Sequence, residues 1–285
     1  MHLQHILAAA DESDAGRQAV KTALDLASRT AAQVTVVRVE ATSPAMVGGT
    51  AGYGSLSTEE DDPAVARLRR WLEADVLQRD ETARVQLGVA FGIPGIEICR
   101  SAERLGADLL VLGRKRHSQR VRLLLGDTAD AVARRSRFPC LFVPPESGEL
   151  RNLLVALDGS DRGMGVLHGA CSFARDAGAR LRVVTVERSS ADEPWHLATS
   201  LPAARSSALQ ARVLAVFRRE GIPELAVTIR RGDISEAVLA EVRQTGSDVL
   251  VIGYHRGGPP GVLEGGSSAR RLAHAAPCAV LTVPL

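Results

Sequence analysis

A glycine-rich stretch near the C-terminus has the residue types of a phosphate-binding loop: GYHRGGPPGVLEGGSS at 253–268. It follows the apolar run DVLVI and leads into the helix-like segment SSARRLAHA. The first amide groups of a helix have no partner within the helix, so they and the helix dipole stabilise an anion bound there. Gly266 and Ser267 would lie at that helix start, with the Ser267 hydroxyl as a further donor. The alternative interpretation, a turn glycine followed by an N-cap serine, has the same sequence.

The composition favours a cytoplasmic protein of two domains. With 285 residues and 45% hydrophobic content, the chain has the length of two domains of about 140 residues each. Its formal charge of +2 and aromatic content of 3% give no indication of nucleic-acid binding. No apolar run reaches the roughly 18 residues of a membrane helix, and the first residues have no signal-peptide pattern. We therefore expect neither nucleic acid nor a membrane as a partner.

The chain lacks the sequence patterns of common catalytic sites. Its four cysteines have no CxxC or zinc spacing and are interpreted as buried free thiols. Neither a G-x4-GK[ST] P-loop nor a nucleophile elbow occurs. The segments ADESDAG and LDGSDRG also lack the Ser-Gly-Gly-x-Asp-Ser loop of ATP pyrophosphatases. We predict a protein that is not an enzyme, in which any ATP hydrolysis is slow and incidental.

The sequence repeats itself once. QHILAAADESD at 4–14 returns as RNLLVALDGSD at 151–161, an offset of 147. Farther along, ERLGADLLVLG and RQTGSDVLVIG align at an offset of 140, and the halves close with FPCLFVP and APCAVLTVP. We place the boundary in the polar stretch PPESGE and the domains at 1–146 and 147–285.

Each half alternates short apolar runs with segments of helical periodicity, which predicts βα units around a parallel sheet with helices on both faces. The predicted strands of the second half are 153–157, 181–186, 225–229, 248–252 and 279–283. The first helix of that half should have Ser160 or Asp161 as its N-cap and bury the face formed by Val166, Leu167, Ala170, Phe173 and Ala174. In such doubly wound α/β domains, ligands bind at the carboxyl ends of the strands, where Asp158 and Gly253 emerge.

Together, these features resemble the universal stress protein family, as a tandem pair of its domains. The resemblance rests on ILAAADES and LLVALDGS at the first strand, GADLLVLG and GSDVLVIG at the fourth, and a glycine-rich loop before a last strand with Pro-Cys. It implies a Rossmann-like fold of the adenine nucleotide alpha hydrolase type, with a five-stranded parallel sheet of order 3-2-1-4-5 in each domain. It further implies that the last strands of two domains pair, within the chain as a pseudo-dimer or between chains as a homodimer.

For nucleotide-binding members, the resemblance implies ATP, with or without Mg²⁺, held by a loop G-x2-G-x9-G-[ST] and by an Asp after the first strand. Matched by position, the candidate residues of the second domain are Asp158, Val186, Gly253, Arg256, Gly266, Ser267 and Ser268. Arg256 replaces the second glycine of the loop, where a left-handed arginine costs about 1–2 kcal/mol. Gly257 and Gly258 can supply the turn one residue later, and the Arg256 guanidinium can itself pair with phosphate.

The first domain departs further from this pattern. Its loop GRKRHSQRVRLLLGDT has Arg116 at the second glycine position and Asp127 in place of Ser or Thr. A carboxylate about 4 Å from a phosphate charge costs on the order of 4 kcal/mol at an effective dielectric near 20, whereas Asp127 would serve as a helix N-cap. The basic residues of 114–122 are interpreted as a solvated loop face. We predict one nucleotide site at most, in the second domain, with Val39 and Val186 as adenine contacts or core valines.

Two functions are therefore expected. One is a stress-response regulator that binds ATP or another adenine nucleotide in the second domain, and the other is a nucleotide-free protein-interaction module of the same fold. The segments 43–62 and 189–207, between the second strand and second helix of each half, are interpreted as mobile linkers, with lids over the nucleotide sites as the alternative.

Overall fold

The chain folds into two compact units, residues 2–148 and 149–285. The structure, a computed structural model, describes residues 2–40, 55–76, 85–114, 127–187, 202–223, 227–254 and 267–285, with the backbone alone for 202–206 and 267. Within these ranges there are eleven strands and eight helices.

The first domain alternates strands and helices from its first residues onward. Its strands are β1 (His5–Ala9), β2 (Gln33–Glu40), β3 (Leu56–Ser57), β4 (Val85–Phe91), β5 (Leu109–Gly113) and β6 (Cys140–Val143). Its helices are α1 (Asp14–Thr30), α2 (Pro63–Asp75), α3 (Pro94–Leu105) and α4 (Asp127–Arg135). The strand order is β3-β4-β2-β1-β5-β6, and all pairs are parallel except β3 with β4.

The second domain has the same alternation. Its strands are β7 (Asn152–Leu157), β8 (Arg180–Glu187), β9 (Val227–Arg231), β10 (Val249–Tyr254) and β11 (Ala279–Pro284). Its helices are α5 (Asp161–Ala177), α6 (Pro202–Glu220), α7 (Ile234–Thr245) and α8 (Ser267–Ala275). The order is β11-β10-β7-β8-β9, with every pair parallel.

Counted within each domain, the parallel strands have the order 3-2-1-4-5. This confirms the predicted pair of doubly wound α/β domains. In the second domain α5 packs on α6 and α7 packs on α8, so a pair of helices covers each face of the sheet. Among the residues that the structure describes, no helix is both long enough and apolar enough to cross a membrane.

The helix after β7 has the predicted start and the predicted buried face. Ser160 is its N-cap, and the serine hydroxyl oxygen accepts a hydrogen bond from the Gly163 amide. The five residues predicted to face the core are each at most 2% exposed. Burying one large apolar side chain stabilises a fold by about 1.5–3 kcal/mol, so this face accounts for a substantial part of the attachment of α5 to the sheet.

One aspartate in each domain joins the amino ends of the first and fourth strands. The Asp108 Oδ2 accepts hydrogen bonds from the amides of Gln4 and His5, both at 2.9 Å. Asp248 accepts the equivalent two amides at 3.1 and 2.9 Å. These are the aspartates of GADLLVLG and GSDVLVIG, so that part of the repeated pattern is structural.

The domains differ between their second strand and second helix. In the first domain Leu56–Ser57 pairs antiparallel with β4. In the second, α6 begins at Pro202 and has 19 residues, against 13 in α2. The interpretation as mobile linkers is therefore wrong for 56–57, which form strand hydrogen bonds with β4. It is also wrong for 202–207, which form the first turns of a helix that has proline at its favoured first position. Residues 43–54 and 189–201 lie outside the described residues.

The cysteines are all free. Cys99, Cys140 and Cys171 are buried, as predicted, whereas Cys278 is partly exposed. The prediction of a buried thiol is therefore wrong for Cys278, which precedes β11 and lies outside the strand that the helices cover.

Candidate functional site

Asp158 is the first residue after β7 and is exposed. Its Oδ1 accepts hydrogen bonds from the amide of Ser160 at 3.0 Å and from the Ser160 hydroxyl at 2.7 Å. Gly159 between them has a φ of 78°, in the left-handed region that favours glycine. The other carboxylate oxygen, Oδ2, makes no hydrogen bond to any described residue and is available to a ligand.

The first domain has the same turn. The Asp11 Oδ1 accepts the Ser13 amide at 3.1 Å and also the Ser13 hydroxyl. Ser13 caps α1 by accepting the Gly16 amide at 3.1 Å. The Asp that recurs in both halves therefore supports a helix N-cap in both.

A glycine under each aspartate makes this turn possible. A Cβ placed on Gly163 would lie 2.5 Å from the Asp158 Oδ1. On Gly16 it would lie 2.3 Å from the backbone oxygen of Asp11. Any larger residue at either position must displace the aspartate, so the start of the helix and the candidate ligand contact depend on each other.

Val186 and Gly253 lie in the strands on either side of β7. Val186 is the next-to-last residue of β8 and is partly buried. Gly253 lies in β10, where a Cβ would come within 2.9 Å of the side chains of both Val166 and Leu285. Gly253 is thus required for the packing of α5 on β10 as well as being a candidate ligand residue.

The start of α8 completes the predicted site. The helix begins at Ser267, followed by the partly buried Ser268. The residues before Ser267 and before its counterpart Asp127 lie outside the described residues, so the alternative of an N-cap at either position stays a prediction. Arg256 and Gly266 lie outside the described residues.

The two equivalent helix starts differ in charge. The first turn of α4 contains Asp127 and Asp130, whereas the first turn of α8 contains no acidic residue. Carboxylates in the first turn stabilise a helix by opposing its dipole, but they repel a bound anion. An anion is therefore favoured at α8 over α4.

The basic stretch of the first domain begins with a buried residue. Arg114 follows β5, is 4% exposed, and donates its amide to the Val143 carbonyl at 2.8 Å. The interpretation as a solvated loop face is therefore wrong for Arg114, because the pairing of β5 with β6 continues through it and draws it inside. The remaining residues of that stretch, 115–122, lie outside the described residues.

An ion pair spans the carboxyl ends of β1 and β2 in the first domain. Arg38 of β2 contacts Glu12, in the loop after β1, with 2.7 Å between Nη1 and Oε1. Glu12 follows Asp11 in the chain and Arg38 precedes Val39, so the pair lies next to the two residues that match the family's adenosine positions.

The second domain lacks the two charged residues of this pair. Gly159 and Thr185 occupy the positions of the two paired residues. Glu187, the last residue of β8, contacts Arg231 of β9 at 3.2 Å. The described residues of the second domain therefore provide no counterpart of the Arg38–Glu12 pair.

Arg212 of α6 holds the Asp158 loop from another side. Its Nη1 donates to the Gly159 carbonyl at 3.1 Å, and its Nη2 donates to the Asp161 Oδ1 at 2.6 Å. Sequence analysis missed Arg212, because one of its acceptors is a backbone carbonyl, which leaves no mark in the residue pattern. The one sequence feature that could have pointed to Arg212 is Gly159, which occupies the position of Glu12 and has no side chain of its own to bind an arginine.

Asp233 adds a fixed negative charge near the end of β9. It is the N-cap of α7, and hydrogen bonding from the Glu236 amide, together with the nearby charge of Arg271, lowers the pKa of its carboxyl. Arg271 of α8 lies 3.4 Å from the carboxylate. Since Asp233 is ionised at neutral pH, Arg271 is engaged by α7.

The described candidates converge on one edge of the second domain. β7 lies between β8 and β10, so the positions after or near the ends of these three strands, Asp158, Val186 and Gly253, are neighbours at the carboxyl edge. The chain order reverses there, from β8 on one side of β7 to β10 on the other, which is the usual ligand position in a doubly wound sheet. These features define a tandem pair of Rossmann-like domains with a candidate ligand site in the second.

Comparison with known proteins agrees with this class. The family model described as the universal stress protein family matches residues 2–144 and again 149–284. A universal stress protein of Methanocaldococcus jannaschii is 29% identical over 139 residues, covering 47% of this chain and 77% of that protein. The chain belongs to the universal stress protein family, with one family domain in each half.

Solved structures show that the fold extends over the whole chain. A universal stress protein from Archaeoglobus fulgidus has a TM-score of 0.73 at 19% identity, covering 100% of this chain and 99% of that one. A Pseudomonas aeruginosa protein assigned to the universal stress proteins has a TM-score of 0.69 at 17% identity, covering 99% of this chain and 93% of that one. At these identities the likeness concerns the fold alone.

Proposed function

We propose that this protein is a stress-response regulator that binds ATP or another adenine nucleotide in its second domain. The observation that carries the location is the contrast between the two domains. The Arg38–Glu12 ion pair lies next to Asp11 and Val39, whereas the uncharged Gly159 and Thr185 occupy the equivalent positions in the second domain. Family membership supports the stress-response role.

The chemistry of the second domain fits an adenosine group. The exposed Oδ2 of Asp158 can accept a hydrogen bond from a ribose hydroxyl or from the adenine amine. Val186 offers an apolar surface beside the base, as is typical of nucleotide pockets. The start of α8, without acidic residues in its first turn, can face the phosphates.

Any Mg²⁺ would arrive with the phosphates. Among the described residues, no group of three or more His, Cys, Asp or Glu is placed to hold a metal ion. Mg²⁺ in nucleotide sites is commonly held by the phosphates and water with one or two protein ligands. The proposal therefore includes no resident metal. That the protein is not an enzyme is a separate part of the proposal, which rests on the lack of a P-loop and of a nucleophile elbow in the sequence.

Regulation requires that the nucleotide distinguish two states of the protein. A ligand with equal affinity for both states shifts nothing, however tightly it binds. We propose that the two states are two arrangements of a dimer or pseudo-dimer of domains, which light scattering with and without ATP would detect. The first domain, with its Arg38–Glu12 ion pair and the acidic first turn of α4, would have a structural role or contact a partner.

The first test is nucleotide analysis of freshly purified, denatured protein, combined with ATP titration of wild type, Asp158→Ala and Asp11→Ala. We expect about one adenine nucleotide per chain, lost in Asp158→Ala and kept in Asp11→Ala, which alters the same turn in the other domain. Loss in Asp11→Ala alone would move the site to the first domain. Multiple-turnover phosphate release abolished by Asp158→Ala would overturn the non-enzymatic part of the proposal.

A second candidate function is a nucleotide-free protein-interaction module of the same fold. It is favoured by the Asp–Ser turn, which is built alike in both domains and needs no ligand to explain it. Wild type that contains no nucleotide and shows no saturable ATP binding, yet still forms dimers, would support this candidate over the first.

A further inference from the structure

Resting on the proposed function, we infer that Arg212 is a positioning residue for the adenosine group. It holds the Asp158 loop from α6 and so fixes the direction of the Asp158 carboxylate.

The hold consists of contacts on either side of Ser160. The Arg212 guanidinium donates to the Gly159 carbonyl at 3.1 Å and to the Asp161 carboxylate at 2.6 Å. Leu209, one turn earlier on α6, has its Cδ2 3.6 Å from the place where a Cβ on Gly159 would be. A planar guanidinium with two acceptors in fixed directions restrains orientation better than a single contact does.

The contact reaches Asp158 through one peptide group. The Gly159 carbonyl and the Ser160 amide belong to the same planar unit. Arg212 donates to the Gly159 carbonyl oxygen at one end of this unit. The Ser160 amide at the other end donates to the Asp158 Oδ1 at 3.0 Å. Fixing the peptide plane therefore fixes the carboxylate, and hydrogen bonds connected through one peptide polarise each other.

The first domain uses its arginines in the opposite way. The equivalent loop residue, Glu12, is held by Arg38 from β2. Arg67 lies just before the buried Leu68 of α2, as Arg212 lies just before the buried Val213 of α6. Arg67 contacts Glu40 at the end of β2 rather than the loop. Only in the second domain does a described arginine of the second helix hold the loop.

This role predicts a particular pattern of ligand dependence. If Arg212 acts by orienting Asp158, its loss should lower the affinities for adenosine and for ATP by the same factor, because both ligands contain the group that Asp158 contacts. If Arg212 acts only as a positive charge, its loss should lower the affinity for ATP and leave the affinity for adenosine unchanged.

The test compares Arg212→Ala, Arg212→Lys and Arg219→Ala by calorimetric titration with ATP and with adenosine. Arg219 is the matched control, an exposed arginine of the same helix with no ion pair to any described residue. We expect Arg212→Ala to weaken both ligands equally by about two- to fivefold, the range available to an exposed arginine contact. Lysine, which reaches one acceptor at a time, should restore part of the loss, and Arg219→Ala should match wild type.

Hydrogen exchange without nucleotide separates this inference from the proposed function. Arg212→Ala should speed exchange in the peptide that contains the Ser160 and Gly163 amides, by a factor similar to the affinity loss. Unchanged exchange and unchanged affinity for both ligands would overturn the role of Arg212, as would a loss for ATP alone. If wild type binds neither ligand, the proposed function fails. In that case, faster exchange in Arg212→Ala would still show that Arg212 restrains the loop, and unchanged exchange would overturn the restraint as well.

Discussion

Asp158 and Ser160 are joined twice through a single oxygen, since the Asp158 Oδ1 accepts both the amide and the hydroxyl of Ser160. The same carboxylate thus supports the N-cap of α5 with one oxygen and exposes the other at the carboxyl edge of the sheet. The support of the helix and the proposed contact with adenosine can therefore be separated by substitution.

Asp158→Asn and Asp158→Ala should have different effects on stability and the same effect on binding. Asparagine keeps the Oδ1 acceptor, so we expect little change in the free energy of unfolding, whereas alanine should lower it by about 1 kcal/mol. Both should lose ATP, since the second oxygen is replaced or removed. Urea denaturation and ATP titration measure the two effects, and Asp11→Ala should show the stability loss without the binding loss.

Gly163→Ala and Gly16→Ala should differ from each other both in the free energy of unfolding and in ATP binding. The new methyl group at 163 meets the Asp158 Oδ1 at 2.5 Å, a side-chain atom that can rotate away. Rotation breaks the hydrogen bonds from Ser160, so we expect weaker ATP binding and a loss of stability of about 1 kcal/mol, as in Asp158→Ala. At 16 it meets the Asp11 backbone oxygen at 2.3 Å and nitrogen at 2.8 Å. Such overpacking against backbone typically costs about 1–3 kcal/mol. Equal effects of the two substitutions would contradict this account of the turn.

Glu220 should stabilise the second domain in a pH-dependent way. Hydrogen bonds from Arg175 and then from His168 hold the pKa of its carboxyl below the ordinary value of 4.5. Because the folded-state pKa is the lower one, the stabilisation is present above about pH 4.5 and disappears as the pH falls through the folded-state value. We expect Glu220→Gln to destabilise the protein at neutral pH, with a difference from wild type that shrinks towards pH 2.

Urea denaturation over that pH range measures the Glu220 effect. Glu73→Gln is the control, an exposed carboxyl on α2 without an ion pair to any described residue. A Glu220→Gln difference that stayed constant with pH would show that the effect comes from packing instead of charge.

Cys99 and Cys171 should be unreactive in the folded protein. Burial raises the pKa of the Cys99 thiol to about 11 and that of Cys171 to about 12. Since the thiolate is the reactive form, iodoacetamide at neutral pH should modify these two residues only after denaturation. Peptide mapping before and after unfolding measures this, and fast labelling of Cys171 in native protein would show that α5 opens readily.

The fold was predictable because its signals are repeated and periodic. The five strands of the second half and the buried face from Val166 to Ala174 follow from apolar runs and helical spacing. The two-residue strand Leu56–Ser57 was missed, because so short a strand has no period of its own. The first turns of α6 were missed because a sequence rich in serine, alanine and proline resembles a loop.

The candidate site was predictable only in part. The positions of Asp158 and Val186 follow from where the strands end, and the structure places both at that edge. The packing role of Gly253 depends on Val166 and Leu285, which come near it only in the folded chain. Arg114 was misread, because a run of basic residues does not show which one the strand pairing draws inside.

The bonds from Asp108 and Asp248 to the first strands have a consequence for synthesis on the ribosome. β1 and β7 are made first in their domains but lie at the centre of their sheets, with the fourth strand as one neighbour. His5 precedes Asp108 by 103 residues, a length that takes on the order of 5–20 s to translate at about 5–20 residues per second. During that interval the central apolar strand of the nascent first domain has one edge without its partner strand, and such an unpaired edge is prone to aggregation.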